Sequence, residues 1–143
     1  MPRVALILPL LLCACQSGGE ANVPGDSSDT NPFDAISAEE TLRFAGTEPF
    51  WGGSVKGDLL TYSTPGDPDG AAIEVERFGG RGGLSFSGIL GTRNFDLMVT
   101  PGDCSDGMSD RTYPFTVTLR LGEETRYGCG WSDKQPFAAP AES

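Results

Sequence analysis

From Phe115 to Leu121 every second residue is apolar: Phe115, Val117, Leu119 and Leu121 alternate with Thr116, Thr118 and Arg120. The same period of two returns at Phe95, Leu97 and Val99, with Asp96, Met98 and Thr100 between and after them. Successive side chains of an extended strand point to opposite faces, so this period specifies strands with one buried and one wet face and opposes a helix. Shorter runs of the same kind surround Leu60 and Tyr62, Ile73 and Val75, and Leu84 and Phe86. Turn sequences separate them at 64–70, 79–83, Gly91-Thr92 and Gly122-Glu123. Twenty glycines and 11 prolines among 143 residues leave little room for long helices. With the flanking pieces at 42–45, 50–55 and 125–131, the pattern predicts about eight strands. Short antiparallel strands packed into residues 42–131 predict an all-β fold, a small up-and-down barrel whose closure removes exposed sheet edges. A two-sheet β-sandwich is the alternative.

The amino end reads differently. An apolar stretch from Val4 to Cys13 follows Arg3, is interrupted by Pro9 and turns abruptly polar at Gln16. It is half the roughly 20 residues that cross a bilayer, so residues 1–14 are expected to be a signal peptide. Its end, Leu12-Cys13-Ala14-Cys15, resembles the bacterial lipobox. That resemblance implies cleavage after Ala14 and a diacylglyceryl group on the Cys15 thiol. With Gln16 rather than aspartate in the next position, it also implies lipid anchoring at the outer membrane, facing the periplasm. Residues 15–41 carry six acidic side chains and no basic one, a composition expected to form a disordered acidic tether. Inside it, Ile36 to Leu42 could make a short helical turn with Ser37 as its cap and Glu40 three residues on. Residues 132–143, poor in apolar side chains, are expected to be a flexible tail.

Composition removes several chemistries. The chain has no histidine, which excludes Ser-His-Asp and Cys-His catalysis and imidazole zinc sites. Twenty acidic against 10 basic side chains give a net charge of −10. That balance opposes nucleic-acid binding and favours a basic protein partner. No Gly-x-Ser-x-Gly elbow occurs, and the glycine-rich run 79–83 follows a strand without opening a helix, so no phosphate-binding loop and no cofactor are expected.

Four cysteines are encoded. Cys13 leaves with the signal and Cys15 takes lipid, so Cys104 and Cys129 are expected to form a disulfide in an oxidising envelope. Cys104 lies in the longest polar connection, 101–112, and the bond would pin that connection against the barrel. This is the candidate binding loop, with Asp103, Asp106, Met108, Asp110, Arg111 and Tyr113 as its candidate contacts, because a rigid loop loses less entropy on binding. Its three aspartates do not follow the EF-hand spacing, and they are expected to form Asx turns and pair with Arg111. Glu48 lies among apolar and aromatic neighbours in the stretch 46–51. A buried carboxylate needs a cation, so a buried Glu48–Arg111 ion pair is expected. The alternative makes Glu48 a catalytic acid or base. Trp51 and Trp131 either fill the core or line a ligand cleft.

The combination of GTEPFW at 46–51, YSTPG at 62–66, CSDGMSDRTYPF at 104–115 and GCGW at 128–131 resembles a family of functionally uncharacterised bacterial envelope lipoproteins. The resemblance covers most of residues 43–131 and implies an envelope location and a compact β domain. The plan of lipid tether, small barrel and disulfide is also similar to the membrane-bound lysozyme inhibitors, at the level of architecture. The expected function is that of a non-enzymatic, lipid-anchored binding module for a basic protein or hydrolase. An envelope-polymer hydrolase using Glu48 and a structural envelope component are the alternatives.

Overall fold

The computed structural model describes residues 32–140. The expected signal peptide, Cys15 and the first part of the expected tether lie outside them. The strands are β1 (Leu42–Thr47), β2 (Phe50–Lys56), β3 (Leu59–Thr64), β4 (Asp67–Gly79), β5 (Leu84–Leu90), β6 (Arg93–Cys104), β7 (Tyr113–Leu121) and β8 (Glu124–Ser132). Each pairs antiparallel with the next, and β8 returns to pair with β1. The sheet is a closed up-and-down barrel, and the sandwich alternative is excluded.

The alternating residues line the inside. Leu97 faces Leu119 and Val99 faces Val117 across β6 and β7, and Leu60, Phe95, Leu97, Val99 and Leu119 have no exposed surface. Burying each such side chain stabilises the fold by about 1.5–3 kcal/mol. Gly91 and Gly122 take φ values of 64° and 60° at the tips of the β5–β6 and β7–β8 hairpins, the left-handed conformation that tight hairpins require. Along the interior, Phe44, Trp51, Tyr62 and Phe95 form a chain of ring contacts with centroids 5.8, 6.4 and 5.5 Å apart.

The two ends of the barrel differ. At the end that carries the β2–β3 and β4–β5 turns, residues 33–41 fold in as a plug. Ile36 is buried and joins the core. The Phe33 amide donates to the Gly80 carbonyl at 2.7 Å and the Gly57 amide to the Ala38 carbonyl at 2.9 Å. Arg77 donates to the Ile36 carbonyl and lies over the Phe86 ring, and burial pulls its pKa down. Buried Glu40 accepts from the Ser37 amide at 2.6 Å and from the Ser132 hydroxyl at 2.8 Å. The expected turn at 37–40 therefore forms through the glutamate half of a capping box. It does not continue as a helix, and the Ser37 hydroxyl is buried without a partner.

These contacts correct the expected boundaries. Residues 33–41 are part of the folded unit, because Ile36 supplies an apolar anchor that the surrounding acidic composition conceals. The tail is likewise packed as far as Ala138. Gln135 donates its side-chain amide to the Ala35 carbonyl at 2.8 Å, and Ala138 forms an antiparallel bridge with Thr112. Asp133 bonds Arg43 at 2.7 Å and the Thr41 amide at 3.0 Å, which hold its carboxyl below the usual range.

Gly46 makes the interior arrangement possible. A Cβ there would lie 2.0 Å from Trp51 Nε1, so the indole occupies the space that a side chain would take. We predict that Gly46→Ala, by overpacking, destabilises the barrel by about 1–3 kcal/mol. Thermal unfolding monitored by tryptophan emission measures this, and an unchanged melting temperature contradicts it.

Candidate functional site

The 105–112 loop leaves β6 and folds back over the outer wall instead of standing free. Two fastenings show this. Cys104 and Cys129 form a disulfide with Cα atoms 5.6 Å apart, joining the end of β6 to β8 across β7. The Thr47 hydroxyl donates to the Asp106 carbonyl at 3.2 Å, and Thr47 ends β1 on the far side of the β8 seam.

Asp106 organises the loop from within. One carboxylate oxygen accepts from the Ser109 amide at 2.7 Å and the Met108 amide at 2.9 Å. The other accepts from the Ser109 hydroxyl at 2.8 Å and the Tyr113 hydroxyl at 3.1 Å. The Ser109 and Met108 amides are the main cause of a carboxyl pKa held far below the usual carboxylate range. A carboxylate so stabilised in its charged form, with four donors on it, is a poor proton acceptor, so the Ser109–Asp106 contact is not an activated nucleophile. Gly107, at φ 72°, makes the tight turn between these groups.

Outside the barrel, a second aromatic cluster buttresses the loop. The Tyr113 ring lies 5.3 Å from Trp131 and 5.4 Å from Phe137, and Trp131 lies 5.7 Å from Phe137. Arg111 sits over the Phe137 ring at 4.4 Å, a cation–π contact worth about 0.5–1 kcal/mol at an exposed site. Trp51 belongs to the core and Trp131 to this outer cluster.

The expected Glu48–Arg111 pair does not form. Glu48 is exposed in the β1–β2 turn, beside a cis bond to Pro49, and Arg111 is engaged with Phe137. An exposed carboxylate is hydrated and needs no cation, which removes the premise of the pairing. Asp103 and Asp110 are exposed, and so is Met108, at 70% of its surface. Among the described residues no three acidic or cysteine side chains converge as a metal-binding group. The expected contacts thus divide: Asp106 and Tyr113 hold the loop's shape, Arg111 packs on the tail, and Asp103, Met108 and Asp110 face solvent.

Between loop and wall runs a groove of about 270 Å³, lined by Ala45, Thr47, Asp106, Thr116, Thr118 and Tyr127, among others. Tyr127 is 73% exposed. Register places Met98 beside Thr118, and Thr118 beside Tyr127, on the outer face. Sequence reasoning missed the part played by Phe137, whose signal was a lone aromatic in a polar tail. It also missed Arg126, which lies opposite inward-facing Leu119 and so interrupts an apolar face. Compared with protein-family models, curated proteins and solved structures, the chain matches none.

The cross-link and the Asp106 carboxylate give two expectations. Replacing Cys104 and Cys129 by serine removes a cross-link over 25 residues of separation, which costs about 3–4 kcal/mol and lowers the melting temperature by roughly 12–25 °C. Asp106→Ala leaves the disulfide intact and raises amide hydrogen exchange at Met108 and Ser109 several-fold. Because the folded carboxyl titrates below its unfolded value, its contribution is complete above the ordinary aspartate range. It is lost only as pH falls through the depressed value, so loop exchange at fixed chemical rate stays constant between neutral and mildly acid pH.

Proposed function

We propose that this chain is a lipid-tethered, non-enzymatic binding module of the bacterial envelope, held at the outer membrane through Cys15, whose strapped loop docks on a basic protein. The observation that carries this reading is the loop itself: Asp106 and the disulfide hold it in one shape while its tip offers Met108, 70% exposed, between exposed Asp103 and Asp110. An apolar side chain flanked by carboxylates on a pre-organised loop suits a cationic surface with an apolar centre, and little entropy is lost on docking. Residues 42–131 carry 12 acidic against 8 basic side chains, so the long-range field steers basic partners in the same direction. A lysozyme-like hydrolase is one partner of this class.

Titration against a basic lysozyme, with an acidic protein of similar size as control, tests the proposal. Binding to the lysozyme is expected to weaken as salt rises. Combining Asp103→Lys, Met108→Ser and Asp110→Lys is expected to weaken it by about tenfold or more. Lytic activity that is unchanged at stoichiometric excess overturns the lysozyme-like partner. Mass spectrometry of the exported chain tests the anchor, and an unmodified Cys15 overturns it.

A further inference from the structure

Opposite the plug, the β3–β4, β5–β6 and β7–β8 turns surround an open mouth with a cavity of about 220 Å³. We infer that this mouth is a binding pocket for a terminal carboxylate carried on a small apolar group, with Arg126 and Arg93 as its cationic contacts.

Arg126 occupies an inward-facing register position opposite Leu119, and its side chain is 19% exposed. A guanidinium at the end of an apolar interior has lost much of its water and needs oxygen acceptors. Nη1 donates to the Tyr62 hydroxyl at 2.6 Å and Nη2 to Glu124 at 2.8 Å. Five N–H groups are available to a guanidinium, so these two bonds leave donor capacity facing the cavity. The Glu124 side chain is 57% exposed, and an ion pair of that exposure contributes about 0–1 kcal/mol. It is an internal carboxylate that a ligand can displace.

The other inward arginine makes the contrast. Arg77, near the plugged end, donates to the Ile36 carbonyl, a protein group folded in over it. Among the described residues no segment does this for Arg126.

Arg93 stands at the β5–β6 turn and lines the same cavity. Its backbone pairs with Leu90, and its side chain makes no hydrogen bond or ion pair among the described residues. Its stem passes alongside Gly122, where a Cβ would lie 3.5 Å from Arg93 Cδ, an ordinary packing distance. Both arginines act electrostatically on the Tyr62 hydroxyl, whose pKa burial nevertheless raises. Asp67 also lines the cavity, with one carboxylate oxygen accepting from the Gly70 amide at 3.3 Å.

Leu90, Leu121 and Ala71 supply the apolar walls. Pockets for drug-sized ligands measure about 300–1,000 Å³, so this smaller cavity admits an end group and not a whole ligand. A carboxylate on alanine or on a short alkyl chain fits both chemistry and size. The binding claim stands on the mouth alone and is tested without lipid or protein partner.

Calorimetric titration of the full chain uses three probes: N-acetyl-alanyl-alanine, its carboxamide, and hexanoate. At least one carboxylate is expected to bind, and the carboxamide to bind about tenfold or more weakly. Binding by the dipeptide alone assigns a peptide end, and stronger binding by hexanoate assigns an alkyl acid. Arg126→Gln and Arg93→Gln each weaken binding, whereas Glu124→Gln strengthens it by removing the competing carboxylate. A merely structural Arg126 does not produce that gain. If Arg126→Gln unfolds the barrel, Arg93→Gln, at an exposed turn, decides alone together with Glu124→Gln. Equal affinity for acid and amide, no binding by either carboxylate, or full affinity in Arg93→Gln overturns the inference.

Discussion

The seam between the first and last strands is the contact on which the molecule depends. β1 and β8 pair from Leu42 with Ser132 to Ala45 with Cys129, and glycine permits their approach. A Cβ at Gly128 would lie 2.3 Å from the Ala45 carbonyl, and one at Gly130 would lie 2.9 Å from Val117 Cγ2. Without this seam the sheet would present two open edges, each a row of unpaired amides and carbonyls. The motif GCGW is thus a closure device. Its glycines clear the inside of the seam while Cys129, between them, holds the loop on the outside.

Closure also sorts the polar groups. A filled interior leaves binding chemistry two places, the outer wall and an end. The wall carries the strapped loop and its groove. Of the ends, one is sealed by Ile36 and by the Glu40–Ser132 contact, and the other keeps Arg126 and Tyr62 at an open rim. Arg77 and Arg126 mark this asymmetry, because each interrupts an apolar face and only Arg77 donates to a backbone carbonyl.

The strands were legible because a period of two is a local property. Each alternating residue reports its own face, and Phe95 to Val99 and Phe115 to Leu121 needed no knowledge of their partners. The disulfide was legible once Cys13 and Cys15 were expected to belong to the amino-terminal signal, which left Cys104 and Cys129 to pair. What failed depended on distance between segments far apart in sequence. Glu48 was assigned a cation because its neighbours are apolar, yet Phe50 beside it is itself 54% exposed, so those neighbours do not enclose it. Ile36 and Phe137 were hidden by averaging: each lies in a stretch that is polar on the whole, and a few apolar side chains, docked against a ready-made surface, order the chain around them. Arg126 was hidden by its context of glutamate and threonine, and its inward orientation follows only from register with β7.

The two fastenings of the loop are not redundant. A disulfide acts chiefly on the unfolded chain, whose freedom it restricts, and it fixes the loop only at its root. Between Cys104 and Tyr113 the remaining residues would still sample many conformations if nothing else held them. Asp106 acts where the disulfide does not: its carboxylate gathers the amides of Met108 and Ser109 and the hydroxyl of Tyr113, and its carbonyl ties the loop to Thr47. The charge of Asp106 is therefore consumed in shaping the tip, whereas Asp103 and Asp110 keep theirs for solvent or a partner. The added internal network limits the freedom of the exposed tip, the property on which the proposed docking relies.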